Sequence, residues 1–432
     1  MADLLLQFFY FARPLMFVNL PGRYFGLSVF EIFAIVLLGV LLAAYLVSKP
    51  AKHRGFDALD SMMLAFTIWA CVVTFIQSDV SDWKWTFRWT LPLIIYMLLR
   101  RMVRTEKEYM RYLHRLLISF VVVIGANAIA IYVGYGFVVA DWVTGVERHD
   151  GIFNDVHTMA HTVGFGLMLV VIYYGLLKAS GAPRQVKRRR PALFVMVAVM
   201  VPLGIYCQIM GNVRTVLVGL VVFLGILLLM TNRRRFVMFA GALVVIWVTS
   251  TFVETIFWDV TGRVSTQGDR TDMAGSGRPW IWKHNLGLFA DLPIEQKIMG
   301  IGVGNEIGVI GANGVITAEY RYRAWESHND FLSALMELGI VGFLLLSAIF
   351  WLWFRTIMRL PMASRVLFMS LLGAVVVMNF LSNSYLSRFG LGQLLSMVMI
   401  GIHVLPMAQT GPIHLGNWRG LGQSVASGSG RG

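Results

Sequence analysis

Charged residues are scarce in this sequence. They make up 14% of its 432 residues, against 57% hydrophobic, whereas a soluble domain carries roughly 25%. So little charge cannot coat a water-facing surface of this size. Cysteine is nearly absent: Cys71 and Cys207 are the two present, and both fall inside apolar runs. That excludes a disulfide framework and a zinc ribbon. No Walker lysine motif, dinucleotide glycine fingerprint or serine elbow occurs, so the chemistries those motifs serve have no foothold here. No repeat of fixed period is evident either, which disfavours an inverted-repeat transporter.

Long apolar runs are what the chain does have. Runs of about 18 or more residues recur throughout, each long enough to cross a hydrocarbon core of ~30 Å. Expected spans run from Gly26 to Ser48, Ser61 to Gln77, Trp85 to Met102, Leu113 to Val139 and Thr158 to Lys178. They continue from Ala192 to Met210, Val213 to Met230, Phe236 to Trp258, Asn329 to Phe354, Val366 to Asn383 and Leu391 to Met407. The segment Met1 to Pro21, interrupted by Arg13 and Pro14, reads as a half-span, an interfacial helix or a first crossing rather than a signal peptide. The expected fold is an all-α, polytopic transmembrane bundle of about 11–12 spans with one large external loop. It divides into an N-terminal bundle (1–258), a loop or cap (259–328), C-terminal transmembrane helices (329–408) and a Gly/Ser-rich flexible tail (409–432).

The net charge of +14 is not a nucleic-acid signature, because the cations sit in short loops between apolar runs and no recognition module is present. Arg100, Arg101, Arg104 and Lys107, the stretch Arg184 to Arg190, Arg233 to Arg235, and Arg355, Arg359 and Arg365 all fall on one side if the spans alternate. The positive-inside rule makes that side cytoplasmic. The loop from Asp141 to Asp155 and the segment from Val260 to Ser327 then lie outside. The latter, roughly 70 residues, far exceeds an ordinary connection and is expected to be functional. It carries helix signals, Pro279 opening Trp280–Phe289, and a glycine-rich turn from Gly300 to Asn305.

Several polar residues at the outer ends of spans carry chemistry. Ser327 and Asp330 fit a capping box, which puts His328 in the first turn of a transmembrane helix, where the helix dipole favours an anion. An imidazole there can serve as a base or donor; a water-satisfied interfacial histidine is the bland alternative. Arg214 follows the short turn Gly211-Asn212-Val213, and Arg278 opens the cap helix. Arginine stays charged and binds phosphate oxygens bidentately, so two arginines and a histidine at outer helix starts suit a diphosphate. Snorkelling to headgroups is the competing role for Arg214. Trp280 and Trp282 either stack on sugar rings or pack within the cap. With Asn305, Asp330, Arg321 and Arg323 they are the expected substrate-binding residues. His157 and His161 share a helix face, but Thr158 stands where a zincin glutamate belongs, so they are expected to hydrogen-bond within the bundle and no metal is expected. Glu31 and Asp60 invite a proton relay or, more simply, capping.

These residues carry a resemblance. Arg214 in its turn, Ser276-Gly277-Arg278 with Trp282, Gly302-Val303-Gly304-Asn305, Ser327-His328-Asn329-Asp330 with Glu337, Gly339 and Gly342, and Gly151-Ile152-Phe153-Asn154 resemble the bacterial O-antigen ligase and polysaccharide polymerase family over most of the chain. The resemblance implies an inner-membrane, inverting GT-C glycosyltransferase working at the periplasmic face without metal or nucleotide cofactor. Its donor is a saccharide on undecaprenyl diphosphate, and its acceptor is another glycan or lipid A–core. A chain-length regulator, a flippase and membrane lipids are the implied partners. The family's essential residues fall on Arg214, Arg278 and His328. One departure is Val213, where relatives often carry serine.

Seven Lys and Arg against nine Asp and Glu between Asp259 and Asp330 give no strongly basic outer surface for a phosphorylated lipid A–core, which tilts the reading toward a polymerase over a ligase. A transporter or flippase for the same lipid-linked saccharides is the rival of another class. It calls for mid-bilayer charges and paired broken helices.

Overall fold

Aliphatic runs without interior polar groups leave the backbone one way to satisfy itself in a membrane, and the chain takes it by coiling into helices. The computed structural model describes residues 1–16, 23–24, 27–47, 57–77, 83–140, 147–153, 155–179, 183–245, 278–304, 327–382 and 389–405. The helices are α1 (Ala2–Leu15), α2 (Val29–Val47), α3 (Ala58–Gln77), α4 (Trp83–Met102), α5 (Glu106–Tyr132), α6 (Val156–Ala179), α7 (Pro183–Gly211) and α8 (Arg214–Thr231). A ninth, α9, covers 233–245. Then come α10 (Arg278–Asp291), α11 (Ile294–Met299), α12 (Asp330–Met358), α13 (Met362–Leu381), α14 (Phe389–Met399) and α15 (Gly401–Val404). Two small antiparallel hairpins complete the list, β1 (Arg23–Tyr24) with β2 (Leu27–Ser28), and β3 (Val138–Ala140) with β4 (Glu147–His149).

The protein is an all-α polytopic membrane protein. Among the described residues seven helices are long and apolar enough to cross a membrane: α3, α5, α6, the part of α7 from Phe194, α8, α12 and α13. The other expected spans are also largely helical where they are described but differ in kind. In α4 the residues Lys84, Arg88, Arg100 and Arg101 lower its apolarity. The apolar stretch Ile35–Val47 of α2 is short, and Leu391–Val404 is divided between α14 and α15. The described part of α9 is 13 residues long. The arginine-rich stretch read as a loop is instead the first two turns of α7.

Helix ends follow their sequence signals. Thr105 and Glu108 form a reciprocal capping box at the start of α5, the arrangement that satisfies two orphan amides at once. Asp57 accepts from the amides of Leu59 and Asp60 and so caps α3. It also receives two guanidinium bonds from Arg100, at 2.7 and 2.6 Å. Buried Asp60 pairs with the same guanidinium at 2.8 Å, an ion pair rather than the cap expected of it, which Asp57 supplies. Glu31's side chain lies outside the described residues.

Packing is close where glycine meets a bulky partner. α8 packs on α13, and a Cβ on Gly219 would collide with the Met378 sulfur, as small residues at membrane-helix interfaces allow. α1 lies against α5, with Asp3 bonded to Arg111 and Tyr112. Ten residues further, about 15 Å along the axis, fully buried Arg13 donates from Nε to Gln393 Oε1 at 2.6 Å. That is a charged side chain buried inside the bundle.

Helix α12 is broken at Gly339, whose φ of 68° is left-handed. A Cβ there would strike the Ile298 carbonyl, and one on Gly300 would strike that of Glu337. The break lets the turn after α11 dock into the helix. The amides of Ile301 and Gly302 donate to the carbonyls of Met336 and Glu337 at 3.0 and 3.2 Å. Trp69 Nε1 donates to the Leu338 carbonyl at 2.8 Å. Glu337 closes the joint, one carboxylate oxygen accepting from Trp89 Nε1 and the other from the Gly304 amide, at 2.9 and 3.0 Å.

Candidate active site

The start of α8, the start of α12, the end of α13 and the cap helix α10 meet at one end of the bundle. Arg214 is the first residue of α8, after a turn in which Asn212 takes a left-handed φ of 45°. Val213 is the N-cap and offers no side-chain bond, so the amides of that first turn lack the hydroxyl acceptor a serine would supply. Arg214 itself is exposed. Arg278 is the first residue of α10, with Pro279 in the first turn as its sequence implies. Its Nη1 donates to Thr215 Oγ1 at 3.1 Å, which sets Arg278 beside Arg214.

Trp282 lies one turn beyond Arg278 on the same helix face. Its Nε1 donates to the Ser327 carbonyl at 2.8 Å, and its ring meets Phe380 edge-on with centroids 5.0 Å apart. Those are the contacts of a packing aromatic. Through them the cap helix holds the residue immediately before His328.

The local structure at His328 corrects the expected capping box. Asn329 is the N-cap of α12, its side-chain oxygen accepting from the amides of Phe331 and Leu332 at 3.0 and 3.1 Å. Ser327 Oγ instead donates to the Asn329 carbonyl at 3.0 Å and lies 2.7 Å from Ser333 Oγ. His328 therefore precedes the helix rather than sitting in its first turn, with a left-handed φ of 49°. Asn is as good a cap as Ser, and Asn329 is two residues nearer the apolar run. Among the described residues, His328 and Asn212 are the non-glycine positions with positive φ, and both belong to this end of the bundle. Such conformations cost free energy and cluster at functional sites. Asp330 is fully buried in the first turn of α12.

A third arginine joins the pair, and the sequence reading missed it. Arg148, half-buried on β4, is coupled to them electrostatically: its guanidinium is pushed below the ordinary arginine range by burial and then by the charge of Arg214. Arg278 is pushed down by burial and then by Arg148 and Arg214. Each charge is thus felt by its neighbours. The available signal was position: Arg148 lies three residues before the Gly151-Ile152-Phe153 segment, in the loop read from the sequence as external, where positive-inside bias makes cations sparse.

Of the expected substrate-binding residues, Asn305, Arg321 and Arg323 lie outside the described residues, as does the side chain of Trp280. His161 Nδ1 lies 2.8 Å from the His157 carbonyl, an intrahelical contact of the kind expected for that pair.

Residues 199–347 match the family model described as O-antigen ligase. Over that stretch the chain is similar to the O-antigen ligase family. The match covers about a third of the 432 residues, running from the end of α7 through α8 and the cap helix to the broken helix α12. Arg214, Arg278, His328 and Glu337 all lie within it; Arg148 lies before it. No curated protein matches the sequence.

Proposed function

We propose that this protein is a bacterial inner-membrane glycosyltransferase that moves a glycan from undecaprenyl diphosphate to a hydroxyl acceptor at the periplasmic face. The convergence of Arg214 and Arg278, joined through Thr215 and tied by Trp282 to the segment bearing His328, carries this reading. A donor used outside the cytoplasm must bring its own leaving group, and a lipid diphosphate departs as an anion. Neutralising that charge is the main catalytic task. Guanidiniums in a partly desolvated mouth are suited to it.

In this mechanism the acceptor oxygen attacks the anomeric carbon from the side opposite the diphosphate. The new C–O bond forms as the bond from carbon to phosphate oxygen breaks, and the configuration inverts. The electron pair leaves on the diphosphate, held by Arg214 and Arg278. The acceptor's proton passes to the His328 imidazole as general base. The bundle holds the polyprenyl chain, and the cap holds the sugars.

The acceptor divides the proposal. The near-balance of charge between Asp259 and Asp330 favours another lipid-linked glycan, which makes the protein a polymerase of capsule, exopolysaccharide or O-antigen repeats. The family description supports the second reading, a ligase delivering the glycan to lipid A–core. Gene deletion followed by glycan analysis separates them. Accumulated single repeats mean polymerase; lipid-linked polymer with bare lipid A–core means ligase. With purified protein and lipid-linked oligosaccharide in detergent, Arg278→Ala and His328→Ala should abolish transfer at normal abundance, while Arg189→Ala keeps it. Absence of any covalent product from the wild-type protein there favours a transporter over a transferase.

A further inference from the structure

Acidic residues are unevenly spread along the chain. None occurs from Val156 to Val253, and none from Leu338 to Gly432. Helices α6, α8 and α12 each start at the end of the bundle that holds the candidate site, Val156 of α6 packing there with Val213. All three finish at the opposite end, within those acid-free stretches. Six exposed cations stand where they finish: Lys178 in the last turn of α6, Arg233, Arg234 and Arg235 just after α8, and Arg355 and Arg359 at the end of α12. Among the described residues no hydrogen bond or ion pair engages these six side chains. Elsewhere in the bundle cations meet acids, Arg100 pairing with Asp57 and Asp60, and Arg111 with Asp3.

The three helix ends gather about the start of α13. A Cβ on Gly175 of α6 would strike Leu367 of α13, and one on Gly373 of α13 would strike Ile226 of α8. α12 runs into α13 through Leu360 and Pro361. All four helices are long and apolar enough to cross a membrane, so the cations stand where hydrocarbon gives way to headgroups. Positive-inside bias accounts for cations at one end of a bundle, but acids count for little in it, so it gives no reason for their exclusion. Depth and sign together select the occupant. Arg233 comes two residues after the last residue of α8, level with lipid phosphates rather than standing clear for a soluble partner.

We propose that this end of α6, α8, α12 and α13 is a docking surface for anionic phospholipid headgroups. Clustered basic residues next to membrane helices hold such lipids by charge. Interfacial arginines also anchor a helix and set its depth and tilt. α8 is 18 residues long, so the anchored turn lies about 27 Å from Arg214 along the helix axis. Holding that turn at the headgroups fixes the height at which Arg214 meets the opposite surface. The lipid therefore positions the site without touching it.

The test places the full-length protein in phosphatidylcholine vesicles with a trace of phosphatidylglycerol or phosphatidylcholine bearing a fluorescent acyl chain. Energy transfer from the protein's tryptophans reports which lipid gathers around it. Wild type should prefer phosphatidylglycerol about fivefold or more, and the preference should shrink in about 1 M salt. Replacing Arg233, Arg234 and Arg235 together by Gln should bring it close to parity. Lys107→Gln, an exposed cation between Glu106 and Glu108, should leave it unchanged. Inorganic phosphate at matched ionic strength should not displace the lipid; if it does, the cations bind free anions and the lipid assignment falls. No preference in wild type, or a full preference in the triple variant, overturns the proposal and leaves an acidic protein segment as the occupant to seek. An equal loss in Lys107→Gln overturns it too, because the effect is then not local. Should the triple variant fail to insert, Arg235→Gln decides: a weaker preference at unchanged melting temperature supports the proposal, and an unchanged one overturns it.

Discussion

Arg278 Nη1 donates to Thr215 Oγ1 at 3.1 Å, so the first residue of the cap helix is oriented by the second residue of a membrane span. Thr215 is buried and has no acid–base role; it holds a guanidinium in place. Thr215→Val keeps the shape and removes the acceptor. Transfer should fall about tenfold, as for the loss of one charge-assisted bond, with a melting temperature within a few degrees of wild type. Steady-state kinetics on purified protein checks this, and undiminished turnover would show that Arg278 does not need the threonine.

Glu337 joins three elements, accepting from Trp89 of α4 and from Gly304 after the cap while standing in α12. Glu337→Gln turns one acceptor oxygen into a donor that faces an N–H. Leaving that group unsatisfied costs about 1–3 kcal/mol. Thermal unfolding in detergent should report the loss directly. A variant as stable as wild type would mean that the joint relaxes around the amide.

Gly339 combines a left-handed φ with backbone packed against the site of a missing Cβ. Gly339→Ala meets both obstacles at once, since alanine at positive φ is strained and the Ile298 carbonyl lies in the way. The expected result is a larger loss of stability than for Gly125→Ala, a helical glycine with open space around it. Equal melting temperatures for the two variants would contradict the kink geometry.

Asp57 gives a pH dependence. Burial alone would raise its pKa, but the hydrogen bonds and charge of Arg100 outweigh burial and hold it below the usual carboxylate value. A depressed folded-state pKa contributes stability that is present above the unfolded value, ~3.9 for aspartate, and is lost as pH falls through the folded one. Acid below about pH 4 should therefore lower the melting temperature of wild type more than that of Asp57→Asn. Parallel acid profiles for the two proteins would refute the assignment. Because Asp57 is partly exposed, the effect should shrink in high salt.

Much of the architecture could be read from apolar runs because a membrane offers the backbone so few alternatives. The starts of α8 and α10 were legible for the same local reasons: a tight turn before Arg214 and Pro279 just inside the cap helix. His328 was misplaced by two residues because Ser327 and Asn329 compete as caps, and only the three-dimensional path decides between two good candidates. Arg148 escaped notice because the arginines it is coupled to stand 66 and 130 positions away in the chain, a relation no local pattern encodes. The Arg13–Gln393 bond is of the same kind, joining the two ends of the sequence.

The left-handed backbone at His328 has an evolutionary corollary. Glycine would sit there with less strain, so a selection that rewards heat resistance alone should drift toward glycine at that position. A selection for surface polysaccharide should hold the imidazole. The two regimes would pull one codon in opposite directions, a small instance of stability traded against activity.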